Sequence, residues 1–323
     1  MINTPKNSDS NLYALAQQLA HVKAPIFSVH TEQTQALAID WKMLKLDAVD
    51  GAMSGNKLFK LLPFLVAARQ QGKSRLVSFG GAYSNHLYAL AAAGQYFGFQ
   101  ITAVVRGYAE QKETATLADL RRMGVQIHFA DKAEYAKRYD ADYQAQLAKR
   151  YQDAFIINEG GAGDYGIEGA KVIAQVVANS VETMPDNIIL AAGTGTSFFG
   201  LLQNPIIPES TTITAIAALN NSAQLEQLAK SAQHKNYRII DGFQCGGFAK
   251  LNVALAKYMV NFEHQQQILL DPVYTAKMCF AIDSMINRGD IPSGSSVLCI
   301  HTGGLQGRRG LEVKVRALAA QTS

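Results

Sequence analysis

Short apolar runs alternate with amphipathic stretches along most of the chain. The runs 76–79, 101–105, 125–129, 155–157, 187–190, 212–218, 237–240 and 297–300 have the length and residue types of buried strands. Between them lie helical patterns: a small-residue helix over 87–97, a charged amphipathic segment over 113–123, a long polar helix over 132–151 and another helix over 167–178. Strands alternating with helices at this spacing predict right-handed βαβ crossovers and mainly parallel sheets. The fold class is α/β.

A length of 323 residues corresponds to about two domains, yet no repeat, low-complexity segment or Pro/Gly/Ser-rich linker separates them. Two domains without a joint imply a chain that crosses between them more than once. The 30 Lys+Arg and 26 Asp+Glu residues leave a net charge of only +4, and the basic residues are scattered, which argues against a nucleic-acid binder. Cys245, Cys279 and Cys299, an odd set without paired spacing, form neither a disulfide framework nor a metal knuckle, and read as small buried hydrophobes. Residues 1–10 lack the apolar core of a signal peptide. The uncharged stretches 76–105 and 188–208 are broken by Ser84-Asn85-His86, and by Gly193-Thr194-Gly195-Thr196 and Pro205, so neither reads as a membrane span. The expectation is a soluble, cytoplasmic protein with no membrane or nucleic-acid partner and no metal.

Four turns carry candidate chemistry, at strand ends and helix starts where ligands sit in such folds. In Ser54-Gly55-Asn56-Lys57-Leu58-Phe59-Lys60 a lysine precedes the apolar helix 61–68. Facing inward and partly desolvated, it would have a lowered pKa and could form a Schiff base. At a helix start, however, a lysine is ordinarily solvated. In Phe79-Gly80-Gly81-Ala82-Tyr83-Ser84-Asn85-His86 a strand ends in Gly-Gly and Ser84-Asn85 caps a helix, whose free N–H groups suit a carboxylate or serve simple capping. The turn Gly193-Thr194-Gly195-Thr196-Ser197 has the composition of a cradle for one phosphate, but is neither a Walker loop nor a dinucleotide fingerprint. In His301-Thr302-Gly303-Gly304, Thr302 offers a neutral hydroxyl to a ring nitrogen, while His301 reads as a buried or capped histidine. Together these four features describe a pyridoxal phosphate (PLP) site for an amino acid.

Their order resembles that of the fold-type II PLP enzymes, specifically the 1-aminocyclopropane-1-carboxylate (ACC) deaminase / D-cysteine desulfhydrase family. The resemblance runs from about Lys45 to Gly304. It rests on Gly55-Asn56-Lys57, Ser84-Asn85-His86, Glu159-Gly160-Gly161 with Gly166, Gly193 to Ser197, Asp271-Pro272-Val273-Tyr274-Thr275 followed by Lys277, and His301-Thr302-Gly303-Gly304. Four positions depart from the family pattern. Phe248 replaces an expected active-site tyrosine, Tyr83 a glutamine, Phe59 an arginine, and Thr275 the glutamate of members that open the cyclopropane ring.

The resemblance implies two parallel-sheet α/β domains of the tryptophan synthase beta-like kind. A larger PLP-binding domain would comprise 1–59 plus 168–323, with a smaller domain, 60–167, inserted. It implies that Lys57 carries PLP and later acts as the Cα base. Gly193, Thr194, Gly195, Thr196 and Ser197 would bind the phosphate, and Thr302 the pyridine nitrogen. Ser84, Asn85 and His86 would clamp the substrate carboxylate, with Asn85 also near the PLP 3′-oxygen. Phe248 and Tyr274 would line the substrate pocket, with Lys57, Ser84 and Tyr274 catalytic. The implied activity is a PLP-dependent lyase or deaminase acting on a small amino acid by D-cysteine-type β-elimination, which releases ammonia and a keto acid. ACC deamination is the alternative, as is a PLP- or amino-acid-binding protein with little turnover. A homodimer is also implied.

Overall fold

The computed structural model describes residues 9–49, 53 and 55–321. Most of the opening segment read as lacking a leader (1–8), and Ser54 of the first turn, lie outside the described residues. Ten strands are present among the described residues: β1 (Ile26–Ser28), β2 (Asp40–Lys45), β3 (Arg75–Gly81), β4 (Gln100–Arg106), β5 (Gln126–Ala130), β6 (Phe155–Ile157), β7 (Asn187–Ala192), β8 (Thr212–Ala217), β9 (Tyr237–Ile240) and β10 (Ser296–His301). They form a six-stranded sheet, β1-β2-β10-β7-β8-β9, and a four-stranded sheet, β5-β4-β3-β6. Every pairing is parallel except β1 with β2. The four-stranded sheet is built from the chain between β2 and β7.

Both sheets are covered on two faces, as parallel sheets with helical crossovers require. In β10, Leu298 and Ile300 join Leu44, Ile188 and Leu190 in one core, while Val297 and Cys299 join Trp41, Met43, Ile189 and Ala191 in the other. The strand period of two thus places near-continuous apolar runs on both sides. In β3, Leu76 faces the large shared core, and Val77 and Phe79 face a smaller one with Val104 and Tyr135.

On the shared-core side the helices Asn56–Gln70, Asp164–Ser180 and Thr196–Leu202 pack in a row. Their approach is very close. A Cβ at Gly169 would overlap the Phe59 carbonyl, so this position excludes any side chain. This row carries Lys57 at one end, and on it rests the helix Asp9–Leu19.

Three elements differ from expectation. The helix expected over 61–68 already starts at Asn56, so Lys57 lies in its first turn. The stretch 132–151 is two helices, Lys132–Ala136 and Ala141–Arg150, because Asp140 caps the second by accepting from Tyr143 N. The strands β1 and β2 have no counterpart in the apolar pattern. Cys279 and Cys299 are buried as read, whereas Cys245 is half-buried. No helix among the described residues is long and apolar enough to cross a membrane.

Candidate active site

The site forms where strand ends converge. Ile300 of β10 pairs with Leu190 of β7, so the following loops, with Thr302 and Gly193, emerge side by side. Opposite them stand the end of β3 with the helix Asn85–Phe97, and the end of β6 with Glu159-Gly160-Gly161.

Gly55-Asn56-Lys57 acts as a joint. Gly55 has φ +65°, and a Cβ there would lie 2.6 Å from the Thr302 carbonyl carbon, so only glycine permits this approach. Asn56 N donates to Thr302 O at 3.2 Å, and Asn56 Nδ2 donates to Ser197 Oγ at 2.8 Å. One residue therefore fixes the start of the lysine's helix to two site loops. The Lys57 ammonium is enclosed, and burial lowers its pKa to about 8, with the Asp271 carboxylate partly opposing the shift.

Lys60, one turn further on, is buried, and its pKa is driven well below normal by burial and then by Lys57. His86 lies beside both: burial, then Lys57 and Lys60, push its pKa well below the usual imidazole value. Ser78 Oγ donates its single proton to Ile157 O at 2.7 Å, so at 2.8 Å from His86 Nε2 it must accept. That bond network assigns the ring proton to Nε2 and leaves Nδ1 a buried lone pair without a partner. The ring thus has no proton for a carboxylate. The expectation that His86 clamps one is narrowed to its backbone N–H.

Ser84 caps the helix Asn85–Phe97, its Oγ accepting from Leu87 N at 3.2 Å. The first amides of that helix, Asn85 and His86, have no intrahelical acceptor and face the cleft end. The Asn85 side chain reaches the short helix Leu305–Arg308 after β10, where its Oδ1 accepts from Gln306 Nε2.

In the Gly193 to Ser197 turn, Asn221 Nδ2 donates to Gly193 O at 2.7 Å, and the Thr194 and Thr196 hydroxyls lie 3.0 Å apart. A Cβ at Gly193 would lie 3.1 Å from the Tyr274 ring, whereas one at Gly195 (φ +80°) would strike Leu225 at 2.7 Å. Gly195 is therefore required by the turn and by packing on its outer side. A Cβ at Gly160 would lie 2.9 Å from the Thr194 methyl, bringing the β6 end against this loop.

Asp271 accepts from the amides of Val273, Tyr274 and Thr275, which explains the Asp-Pro-Val-Tyr-Thr string as a helix start. The Thr275 hydroxyl is consumed within that cap, bonding the Asp271 backbone. Burial, then Asp271 and Glu159, hold the Tyr274 phenol well above its ordinary pKa, so it is a donor. Neither Tyr274 nor Thr302 has a side-chain hydrogen-bond partner among the described residues. His301 is fully buried between Leu269 O and Asp47, a structural role as read.

Phe248 is 43% exposed, on a loop with positive φ at Gly242, Cys245, Gly246, Gly247 and Ala249. Its ring edge would lie 3.9 Å from a Cβ at Gly81, so it stands at the cleft mouth and bridges to the β3 side. The loop is tied down by Lys277, whose Nζ donates to Gly247 O at 2.8 Å and Ala218 O at 3.2 Å.

Four residues gain roles here that sequence reasoning left unassigned: Asn56, Lys60, Lys277 and Glu159. Glu159 accepts from Tyr135 Oη at 2.7 Å and Arg138 Nε at 2.6 Å. All four had a signal, their place within or beside the quoted motifs, but none that showed what they bond to.

These residues fit a phosphorylated, anionic, aromatic cofactor. Lys57, Lys60 and His86 are basic groups crowded together with no carboxylate hydrogen-bonded to them among the described residues, and the Tyr274 and Thr302 hydroxyls are unused. Similar proteins agree. A bifunctional D-cysteine desulfhydrase/ACC deaminase of Arabidopsis thaliana is 24% identical over 90% of this chain and 78% of its own length. The solved structure of an ACC deaminase homologue superposes with a TM-score of 0.81 at 24% identity, covering 98% of this chain and all of that one. Threonine deaminase isoform 2 from Solanum lycopersicum gives 0.65 at 14% identity, covering 99% and 91%. With residues 22–303 matching the model of the pyridoxal-phosphate dependent enzymes, the chain belongs to that family and is a PLP enzyme of the fold-type II kind.

Proposed function

We propose that this enzyme eliminates the β-substituent of a small amino acid of the D-cysteine type, releasing ammonia and a keto acid. The observation that carries the reading is Lys57, an amine with a pKa of about 8, held by Asn56 between the Thr302 and Ser197 loops and facing the helix start at Ser84. When bound, PLP supplies an electron sink for the bond that breaks at Cα. Lys57 is the amine that carries it. The Gly193 to Ser197 turn holds its phosphate through backbone N–H groups and the Thr194, Thr196 and Ser197 hydroxyls, with Lys60 nearby. Thr302 offers the pyridine nitrogen a hydroxyl and no charge.

The Ser84 hydroxyl and the backbone N–H groups of Asn85 and His86 bind the substrate carboxylate, which orients the Cα–H bond. Lys57 Nζ takes the Cα proton, since its lowered pKa makes the free base available near neutral pH. The β-bond electron pair departs with the leaving group, and the Tyr274 phenol, kept protonated, can donate to it. ACC is the alternative substrate. Its support is the Arabidopsis relative, whose name joins both activities.

The domain division, 1–59 plus 168–323 with 60–167 inserted, belongs to the same proposal and is supported by the two sheets. So do a homodimer, which light scattering measures, and a cytoplasmic location, supported by three free thiols.

The test incubates PLP-loaded protein with D-cysteine, L-cysteine and ACC while ammonia and keto acid are measured. Borohydride trapping and peptide mapping run alongside. Turnover of D-cysteine with label on Lys57 is expected. Label on Lys60 would overturn the lysine assignment, and bound PLP without turnover of any of the three would favour a binding protein.

A further inference from the structure

The Asn85 side chain crosses the cleft from the β3 side to the short helix Leu305–Arg308 that follows β10, and two glycines, Gly304 at its N-cap and Gly307 within it, make room for it. A Cβ at Gly304 would lie 2.7 Å from Asn85 Nδ2, and one at Gly307 would lie 2.8 Å from Oδ1. The amide is slotted between them, so its two ends meet different surroundings. At the oxygen end, Gln306 Nε2 donates at 3.2 Å. At the nitrogen end lies the Asp271 carboxyl group, whose Cγ would be 2.9 Å from the same absent Cβ of Gly304. Three backbone amides occupy the Asp271 oxygens, yet its charge still favours N–H over a carbonyl oxygen beside it. Turning the amide over would set oxygen against the carboxylate, and Gln306 could follow only by turning its own amide as well.

We propose that Gln306 is a positioning residue: with Asp271 opposite, it fixes the Asn85 amide so that Nδ2, not Oδ1, is the end turned to the Lys57 side. The site then presents the cofactor with a hydrogen-bond donor. This rests on the reading that Asn85 borders the PLP 3′-oxygen. Gln306 belongs to none of the site residues expected from the sequence. Its contact spans 221 positions and has no local signature.

A double-mutant cycle tests it on the full chain. Gln306→Glu replaces a donor with a group of the same shape that only accepts, which forces the Asn85 amide over. Two quantities are read: the PLP dissociation constant by equilibrium dialysis, and the pH at which half the visible band of bound PLP is lost. Gln306→Glu is expected to weaken PLP about tenfold and raise the midpoint by about one pH unit. Asn85→Ala is expected to do likewise. In the Asn85→Ala background, Gln306→Glu should add less than about twofold. Gln306→Leu, which removes the donor while Asp271 still biases the amide, should cost only about threefold.

A Gln306→Glu effect of equal size without Asn85 would overturn the proposal, because the new charge would then act directly. So would a Gln306→Leu loss as large as that of Gln306→Glu, which would mark disrupted packing. Weakening by Asn85→Ala but not by Gln306→Glu would remove Gln306 alone. No effect of Asn85→Ala on either reading would remove Asn85 from the cofactor, and the proposal with it.

Discussion

Gly55→Ala tests the joint that holds Lys57. The added Cβ would begin 2.6 Å from the Thr302 carbonyl carbon and 3.0 Å from Gly303 N, both backbone atoms that no rotamer change can move. An ordinary contact needs about 3.5 Å, so the helix start must retreat by about 1 Å. That retreat stretches the Asn56 N to Thr302 O bond, already 3.2 Å long. The alanine would also inherit φ +65°, ψ −145°, a region kept almost entirely for glycine, at a cost of roughly 1–3 kcal/mol. With a hydrogen bond worth about 1 kcal/mol weakened, the loss is about 2–4 kcal/mol. For a chain of this size that is a fall of roughly 3–6 °C in the Tm of the PLP-free protein. Activity should suffer more than stability, because Lys57 lies two residues away and a 1 Å displacement of a reacting group costs on the order of 100-fold. Thermal unfolding gives the first quantity, and kcat/KM on D-cysteine the second. A variant that matches the wild type in both would refute the close approach of Gly55 to Thr302 and the role given to it.

Lys57→Met should stabilise the PLP-free protein at pH 7. The enclosed amine has a pKa of about 8, against 10.5 for a lysine in water, so its charged form is disfavoured in the folded state below pH 8, and this penalty fades as pH rises from 8 to 10.5. Denaturant midpoints that show no gain at pH 7, or a gain that grows with pH, would contradict this. Lys277→Met leaves the Ala218 carbonyl without the Lys277 donor and the Gly247 carbonyl with Lys250 N alone, at a cost of roughly 1–3 kcal/mol. Trypsin should then cut after the exposed Lys250 faster than in the wild type, and an unchanged rate would show that the loop holds itself. Phe248→Tyr should leave Tm within about 1 °C, as surface changes usually do, and should raise kcat/KM for D-cysteine. An unchanged kcat/KM would assign the position to packing against Gly81 alone.

How much was legible depended on whether the cause was local. The eight core strands were readable because each is a mostly apolar run, and in the central ones, such as β10 with Val297, Leu298, Cys299 and Ile300, it is buried on both faces. β2 was not: Lys42 and Lys45 interrupt its apolar residues, although Trp41, Met43 and Leu44 are buried. β1 has only three residues, none fully buried, and exists only because β2 pairs with it. The break in 132–151 follows from Asp140 as a cap, a signal overridden by the surrounding helical composition. Gly55, Asn56 and Lys57 were visible as a string, but the reason for the glycine and asparagine lies at Thr302 and Ser197. Long-range bonds of this kind leave no trace in local pattern. The same holds for Lys277, a motif member whose partners, Ala218 and Gly247, are carbonyls far along the chain. The motif names His86 as a residue and not which of its atoms faces the cleft, so the bond of its ring to Ser78 was not legible.

The bonds that hold the site loops differ in kind from the groups left over inside it. Asn56 to Thr302, Asn56 to Ser197, Asn221 to Gly193 and Gln306 to Asn85 are all bonds between uncharged groups, so the loops are fixed without using a charge. Lys57, Lys60 and His86 remain crowded together, each with its pKa depressed by burial, and Lys60 and His86 by their basic neighbours as well. Asp271, the carboxylate nearest Lys57, has its oxygens occupied by three amides. Such a cluster destabilises the fold by itself, since burying basic groups costs their hydration and, for Lys60 and His86, disfavours the proton they would hold in water. An anionic phosphate arriving there relieves that cost, and binding only the folded state it stabilises by about 2.7 kcal/mol at a hundred times its Kd. A neutral scaffold around these buried basic groups therefore couples folding to the cofactor. Replacing any of the scaffold bonds by an ion pair would weaken that coupling, because a carboxylate placed there would compete for the same lysines.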